Sequence, residues 1–241
     1  MTGDLGTDFP GGNTPRTVEL WAKFLGTQSW TAEHTIIETG LRQNAGNMLF
    51  GIDMSGDMNA GGPRQFGPYT NGFSDNNRDP MTNMGGVVVP GIAQTGWFHL
   101  SWSYNGTALS FTVDGVEYPV ITTGGTPTMA FTPGIVTLGG SQNYGTAGWA
   151  GVMDEIRIWK VARTPQQILS NMRVVLKPTE PGLVAYYRLS EGSGTFTNDE
   201  SMTMTHRLST CTATSMRCAA TNTASPQWVA SDIPGTFTCA P

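Results

Sequence analysis

The chain has 241 residues, 13% of them charged, with a net charge of −5 and a pI near 5.1. That balance excludes nucleic acid as a partner, because such binding needs a basic face, and offers no polybasic attraction to a membrane surface. No run of about 18 apolar residues exists, so no helix that inserts into a membrane is predicted.

Length allows one large domain with an ample core. Glycine, at 31 residues, stands at nearly twice its ordinary share of about 7%. Abundant Gly, Thr, Ser and Asn with few charges point to many turns between short strands, an all-β pattern. Met1 leads directly into a polar, glycine-rich stretch with no signal-peptide pattern. The chain therefore reads as a piece excised from something longer.

Residues 1–16 hold Pro10, Gly11, Gly12 and Pro15 and read as loop. Thr17 to Leu25 alternates, with Val18, Leu20 and Ala22 on one side and Glu19, Trp21 and Lys23 on the other, which predicts a half-buried strand. Short strands are expected at Thr35 to Glu38 and Asn47 to Ile52. From Asp53 to Asn83 the periodicity fails, and Gly, Asn, Asp and Pro dominate. Loops of that length in compact domains are often functional. Phe66, Tyr69 and Phe73 lie in it beside Asp75 and Asn77. Aromatic rings stack on the apolar faces of pyranoses while carboxylates and amides take the hydroxyls. These five residues are candidate sugar contacts. Plugging the loop onto the sheet below is the competing use of the rings. Asp53, Ser55, Asp57 and Asn59 place oxygens at every second position, faintly like a calcium loop. Met58 stands where that loop needs glycine and Arg64 where it needs glutamate, so a solvated turn is expected.

The clearest block follows. Phe98, Leu100, Trp102 and Tyr104 alternate with His99, Ser101 and Ser103. Asn105-Gly106 is expected to form a two-residue turn, Leu109, Phe111 and Val113 return, Asp114-Gly115 turns again, and Val116, Tyr118 and Val120 complete a meander. Ile135 to Leu138 is another strand, leading to a loop with Asn143 and Tyr144, further candidate sugar contacts. Gly151 to Trp159 then alternates Val152, Asp154, Ile156 and Ile158 against Met153, Glu155, Arg157 and Trp159. This places Asp154 on an apolar face, where a carboxylate is costly unless a metal, backbone N–H groups or an arginine pairs with it. Thr164, Pro165 and Gln167 carry the signature of a capped helix near 164–173, with Ile168, Leu169 and Met172 as its apolar face. Leu183 to Leu189 is a strand. From Ser190 the chain is rich in Thr and Ser, with Gln227-Trp228-Val229 as a strand candidate. Cys211, Cys218 and Cys239 are the only cysteines. Cys211 and Cys218 could close a short loop as a disulfide in an oxidising compartment, with three free thiols as the alternative.

Three stretches carry a family resemblance. Gly96-Trp97-Phe98-His99-Leu100-Ser101-Trp102-Ser103-Tyr104-Asn105-Gly106-Thr107, with Phe111-Thr112-Val113-Asp114-Gly115-Val116, resembles the central hairpins of laminin-G-like and pentraxin-like domains. Gly151-Val152-Met153-Asp154-Glu155-Ile156-Arg157-Ile158-Trp159, before its Thr-Pro helix start, resembles their closing motif. Leu183 to Thr195 resembles a motif at the ends of bacterial modules of this kind. These are domains of the concanavalin A-like lectin and glucanase superfamily. The likeness spans roughly residues 16–230 and implies a jelly-roll β-sandwich of two antiparallel sheets. Residues 1–241 are expected to be one such domain, with 190–241 packed on it or extending it. The family's usual opening strand is not visible here; the region from Leu183 could supply that edge. In laminarinase-like members an aspartate on the last core strand helps hold a structural calcium, and Asp154 matches that position.

Retaining glucanases of the superfamily set carboxylates on one strand face with a Glu-x-Asp-x-Glu motif. This chain has none, and Glu19 and Glu38 read as isolated acids on apolar strands. No serine elbow, zinc-binding helix or phosphate loop is present. His34, His99 and His206 are scattered, and His99 reads as structural. The expectation is a non-enzymatic, extracellular module, bacterial and able to form homo-oligomers, that binds glycan on a cell surface. The alternative is a structural or oligomerising jelly roll that binds protein. Clustering of Trp30, Tyr69, Phe73 and Tyr144 on one exposed patch would favour the first.

Overall fold

The structure, a computed structural model, describes residues 1–25, 34–40, 50–55, 65–69, 87–88, 96–118, 134–140, 148–209 and 227–239. The strands are β1 (Thr2–Asp4), β2 (Arg16–Phe24), β3 (His34–Thr39), β4 (Phe50–Ser55), β5 (Gln65–Tyr69), β6 (Val87–Val88), β7 (Trp97–Tyr104) and β8 (Leu109–Val113). They continue as β9 (Val116–Tyr118), β10 (Ile135–Leu138), β11 (Gly151–Trp159), β12 (Val174–Val175), β13 (Leu183–Tyr187), β14 (Phe196–Thr197), β15 (Leu208–Ser209) and β16 (Thr238–Cys239). Among the described residues one helix, α1, spans Pro165–Asn171.

Two antiparallel sheets carry the fold. One has eight strands in the order β14-β15-β1-β10-β3-β4-β5-β6, and the other six in the order β13-β11-β2-β7-β8-β9. The expected jelly-roll sandwich is what forms, with one short helix among the described residues. Alternation sends Val18, Leu20 and Ala22 of β2 inward, where they meet Ile37, Phe50 and Ile52 of the opposing sheet. Phe50 stacks on Trp102 at 5.6 Å between centroids, joining the two sheets at mid-core.

Several local expectations shift. Of the strand predicted over Asn47 to Ile52, residues 47–49 lie outside the described residues and Phe50 to Ile52 are strand, and the irregular stretch after it contains β5. Tyr104 pairs with Leu109, so the first hairpin loop has four residues rather than two. The Asn105 Oδ1 accepts the Thr107 and Ala108 N–H groups at 2.9 and 2.7 Å, and this side-chain turn displaces the tight backbone one. The second hairpin is tight as expected: Val113 pairs with Val116, and Asp114 and Gly115 take φ of 52° and 76°.

The helix is capped as its sequence indicates. Thr164 Oγ1 accepts the Gln167 N–H at 3.2 Å, and Gln167 Oε1 accepts the Thr164 N–H at 3.0 Å. Ile168 is buried, but Leu169 stays exposed, because so short a helix turns only one narrow stripe inward. Gln227–Val229 forms no strand. The chain end instead pairs β16 in parallel with β12. β13 forms an edge of the six-stranded sheet, beside β11. Among the described residues no helix is long and apolar enough to cross a membrane.

Candidate functional site

The outer faces of both sheets carry polar rows. On the six-stranded sheet, Thr17, Glu19 and Trp21 of β2 point away from the core, toward α1, β12 and the chain end. Glu19 is fully buried there. Its Oε1 accepts the Trp159 Nε1–H at 2.8 Å and lies 4.0 Å from Arg157, and its Oε2 lies 3.4 Å from His99 Nε2. Burial pushes its carboxyl up, against the pull of Arg157 and Arg163. Burial pushes His99 well below the ordinary histidine value, with Arg157 adding to that. Arg157 also pairs with Glu155 at 3.1 Å and donates to the carbonyls of Asn171 and Val174 at 2.9 and 2.8 Å. Tyr186 donates to Glu155, and Arg188 pairs with Glu155 at 3.0 Å. The network ties β2 and β11 to the helix and chain segment lying over them.

Asp154 belongs to this outer side, not to the core face that strict alternation assigned it. Between Asp154 and Arg157 the pairing with β2 slips by one residue, with Glu155 at φ 51°. The bulge leaves Met153 opposite Ala22 and Asp154 opposite Trp21. Asp154 Oδ1 accepts the Glu155 N–H at 2.9 Å. Burial pushes its carboxyl up, opposed by a hydrogen bond from Ser231. Among the described residues no group of three or more His, Cys, Asp and Glu side chains is placed to hold a metal.

The eight-stranded sheet presents the second row. Thr2 pairs with Thr137, Thr137 with Glu38, Glu38 with Gly51, and Gly51 with Tyr69. Their neighbours Val136, Leu138, Phe50 and Ile52 face the core, so this row faces outward across β1, β10, β3, β4 and β5. Asp53, two residues from Gly51, takes a position on the same face, paired with Thr35 and Gly67. A side chain at Gly51 would collide with the Ile37 carbonyl. None therefore rises between Glu38 and the Tyr69 position. Glu38 and Thr137 are buried, and the hydroxyls of Thr2 and Thr137 have no hydrogen-bond partner.

The candidate sugar contacts divide. Phe66 pairs with Met54 and Tyr69 with Gly51, so β5 sets them on opposite faces and only Tyr69 joins the outward row. Phe73, Asp75, Asn77, Asn143, Tyr144 and Trp30 lie outside the described residues, as do Cys211 and Cys218. Cys239 is an exposed free thiol. Thr137 and Glu38 were not singled out as contacts from the sequence. Neither β10 nor β3 alternates polar and apolar residues cleanly, so their outward positions become legible only once the strands are paired.

A laminin-G family model described as concanavalin A-like lectin/glucanases superfamily matches residues 4–169. The chain belongs to this superfamily. No curated protein matches it. Among solved structures it resembles a candidate carbohydrate-binding protein from Bacteroides ovatus, at 19% identity and TM-score 0.54. That match covers 82% of this chain and 52% of the other, so the chain spans about half the length of the Bacteroides protein. It also resembles domain 4 of AbnA, an extracellular arabinanase from Geobacillus stearothermophilus, at 20% identity and TM-score 0.43, covering 68% of each chain. A heptameric pentraxin from Limulus polyphemus follows at 14% identity and TM-score 0.46, covering 70% of this chain and 73% of that one. At these identities the likeness is one of fold.

Proposed function

We propose that the chain is a non-catalytic carbohydrate-binding module that works outside the cell on surface glycans. The outward row from Thr2 to Tyr69 carries the reading. It carries the Thr2 and Thr137 hydroxyls, which have no partner, and β5 brings the Tyr69 position to the same face. Polar groups that fix hydroxyls beside a ring that stacks are what a sugar site needs. Superfamily membership and the Bacteroides neighbour, described as a candidate carbohydrate-binding protein, support it. The proposal takes residues 1–241 as one domain in an oxidising compartment, with Cys211 and Cys218 bridged. It includes a structural calcium at Asp154, whose further oxygen ligands would come from outside the described residues.

A glycan-array screen of the purified chain, in calcium and again in chelator, tests this. The expected result is at least one glycan hit, weakened in Tyr69→Ala with the fold intact by circular dichroism. Loss of the hit in chelator supports the calcium. A blank in both buffers with folded protein sinks the reading and favours a structural jelly roll with a protein partner.

A further inference from the structure

Part of the outer face of the six-stranded sheet is covered by the end of the chain itself. Residues 227–239 lie over it as a strap. One Asp232 oxygen accepts the Trp97 Nε1–H at 2.7 Å, and the other accepts the Lys23 ammonium at 2.5 Å. The Phe237 ring meets Trp21 edge-on, 6.5 Å between centroids. Arg173 donates to the Pro234 carbonyl, and its own carbonyl accepts the Thr238 N–H at 3.0 Å, where β16 runs beside β12. The seat is thus Trp21 and Lys23 of β2, Trp97 of β7, and Arg173.

The strap is laid on the surface rather than built into the core. None of residues 227–239 is buried, and only Trp228, Ile233 and Phe237 are half-buried. The Asp232 side chain is 63% exposed. Exposed ion pairs hold weakly, and segments with little buried apolar surface open at low cost. The seat is firmer: Trp21 is 1% exposed, on a strand paired along both edges.

The match between the two is chemical. The seat asks for a carboxylate at Lys23 and the Trp97 N–H, an aromatic ring at Trp21, and a backbone N–H at the Arg173 carbonyl. Asp232 is the one charged side chain from Gln227 to Pro241, and it faces a cation. A second copy of the chain carries the same segment and satisfies the seat equally well.

We infer that this seat takes the terminal segment of a second copy in exchange for its own, so that two copies join by trading straps. The inference is independent of the carbohydrate reading, whose row lies on the other sheet.

Two full-length variants test it, Lys23→Glu and Asp232→Lys. Each sets like charges between strap and seat within one chain. Mixed, they form opposite-charge pairs only when each strap sits in the other chain's seat. Mass is read by light scattering at about 0.1 M salt, where surface charges act over about 10 Å. The exposed Cys239 thiol is alkylated beforehand. Each variant alone is expected at the 25.8 kDa of one chain, and the equal mixture at twice that. Both substitutions in one chain are expected to restore the single mass. Amide exchange in 227–239 is expected to quicken about tenfold in each single variant and to slow again in the mixture. A mixture that keeps the single mass while its straps exchange fast overturns the inference. Straps as protected in the single variants as in wild type overturn Lys23 and Asp232 as the tie. A doubled mass in either variant alone, equal to that of the mixture, places the contact elsewhere and overturns the seat.

Discussion

The outer faces of the two sheets are built from similar residues and closed in different ways. On the six-stranded sheet, Glu19 and Glu155 are answered by Arg157 and Arg188, and α1 and β12 lie over them. On the eight-stranded sheet, Glu38 and Thr137 are just as buried; Glu38 has a partner within the protein, while the Thr137 hydroxyl has none. The first face spends its polar groups on holding the protein together. Arg157 alone reaches two carboxylates, two backbone carbonyls and the Tyr186 ring, the last at 5.5 Å from its centroid. Both faces keep buried polar atoms without a hydrogen-bond partner, Glu19 Oε2 and the His99 ring nitrogens on the first and the Thr2 and Thr137 hydroxyls on the second; those of the second face are neutral hydroxyls, the kind of group a sugar hydroxyl can pair with. Buried polarity does not by itself mark function; what matters is whether the fold already compensates it.

The largest expected effect breaks the first face. Arg157→Met keeps much of the volume but removes the cation, leaving Glu19 and Glu155 buried without it. Removing one partner of a buried pair costs about 3–5 kcal/mol. Urea unfolding should show a loss of that order, and a loss below about 1 kcal/mol would mean the network is not what holds the cover down.

How much of this was legible in the sequence depends on the length of the element. The long strands β2, β7 and β11 each repeat their alternation enough times to announce themselves, and Thr164-Pro165-Gln167 names its own helix start. Two-residue strands such as β6 and β16 carry no periodicity, so only pairing reveals them. Asp154 shows a different limit. Its parity was read correctly along the chain, but a single bulge residue, Glu155, flips the face that parity implies. Glu19 looked isolated because its partners Arg157, Trp159 and His99 are distant in sequence. The outward row is harder still: its members come from five strands, and no local pattern joins them.

An intermediate effect concerns the end of the eight-stranded sheet. His206 Nδ1 lies 3.0 Å from Asp199 Oδ2, and its Nε2 lies 3.1 Å from Asp8 Oδ2. Thr203 contacts both ring and carboxylate, and the Tyr187 hydroxyl donates to the His206 carbonyl. The hydrogen bond to Asp199 raises the His206 pKa, with both carboxylates adding to it against burial. Burial pushes Asp199 up, but bonds from His206 and from the Tyr186 and Ser201 N–H groups outweigh it and hold the carboxyl low. The raised histidine stabilises fully below its ordinary value of about 6.5 and loses that contribution as pH rises through its folded value. The lowered aspartate contributes above the ordinary carboxylate value of about 3.9 and loses this as pH falls through its folded value. Stability should therefore peak in mild acid and fall on the alkaline side by about 1–2 kcal/mol. His206→Gln should flatten that alkaline limb in urea titrations across pH. An identical limb in the variant would assign the pH dependence to other groups.

The smallest effect on stability sharpens the contrast most. Thr137→Val on the second face deletes a hydroxyl that has no partner in the free protein. Nothing is left unpaired by its removal, and an apolar methyl replaces a buried polar atom in the same volume. Unfolding free energy should stay within about 0.5 kcal/mol of wild type or rise. Arg157→Met and Thr137→Val then form a pair: each removes a buried polar group, one large in stability and the other nearly silent. A loss above about 1.5 kcal/mol for Thr137→Val, the scale of a broken buried hydrogen bond, would show that its hydroxyl already serves the fold. The two faces would then be alike, and the reason for placing a ligand on the second would be gone.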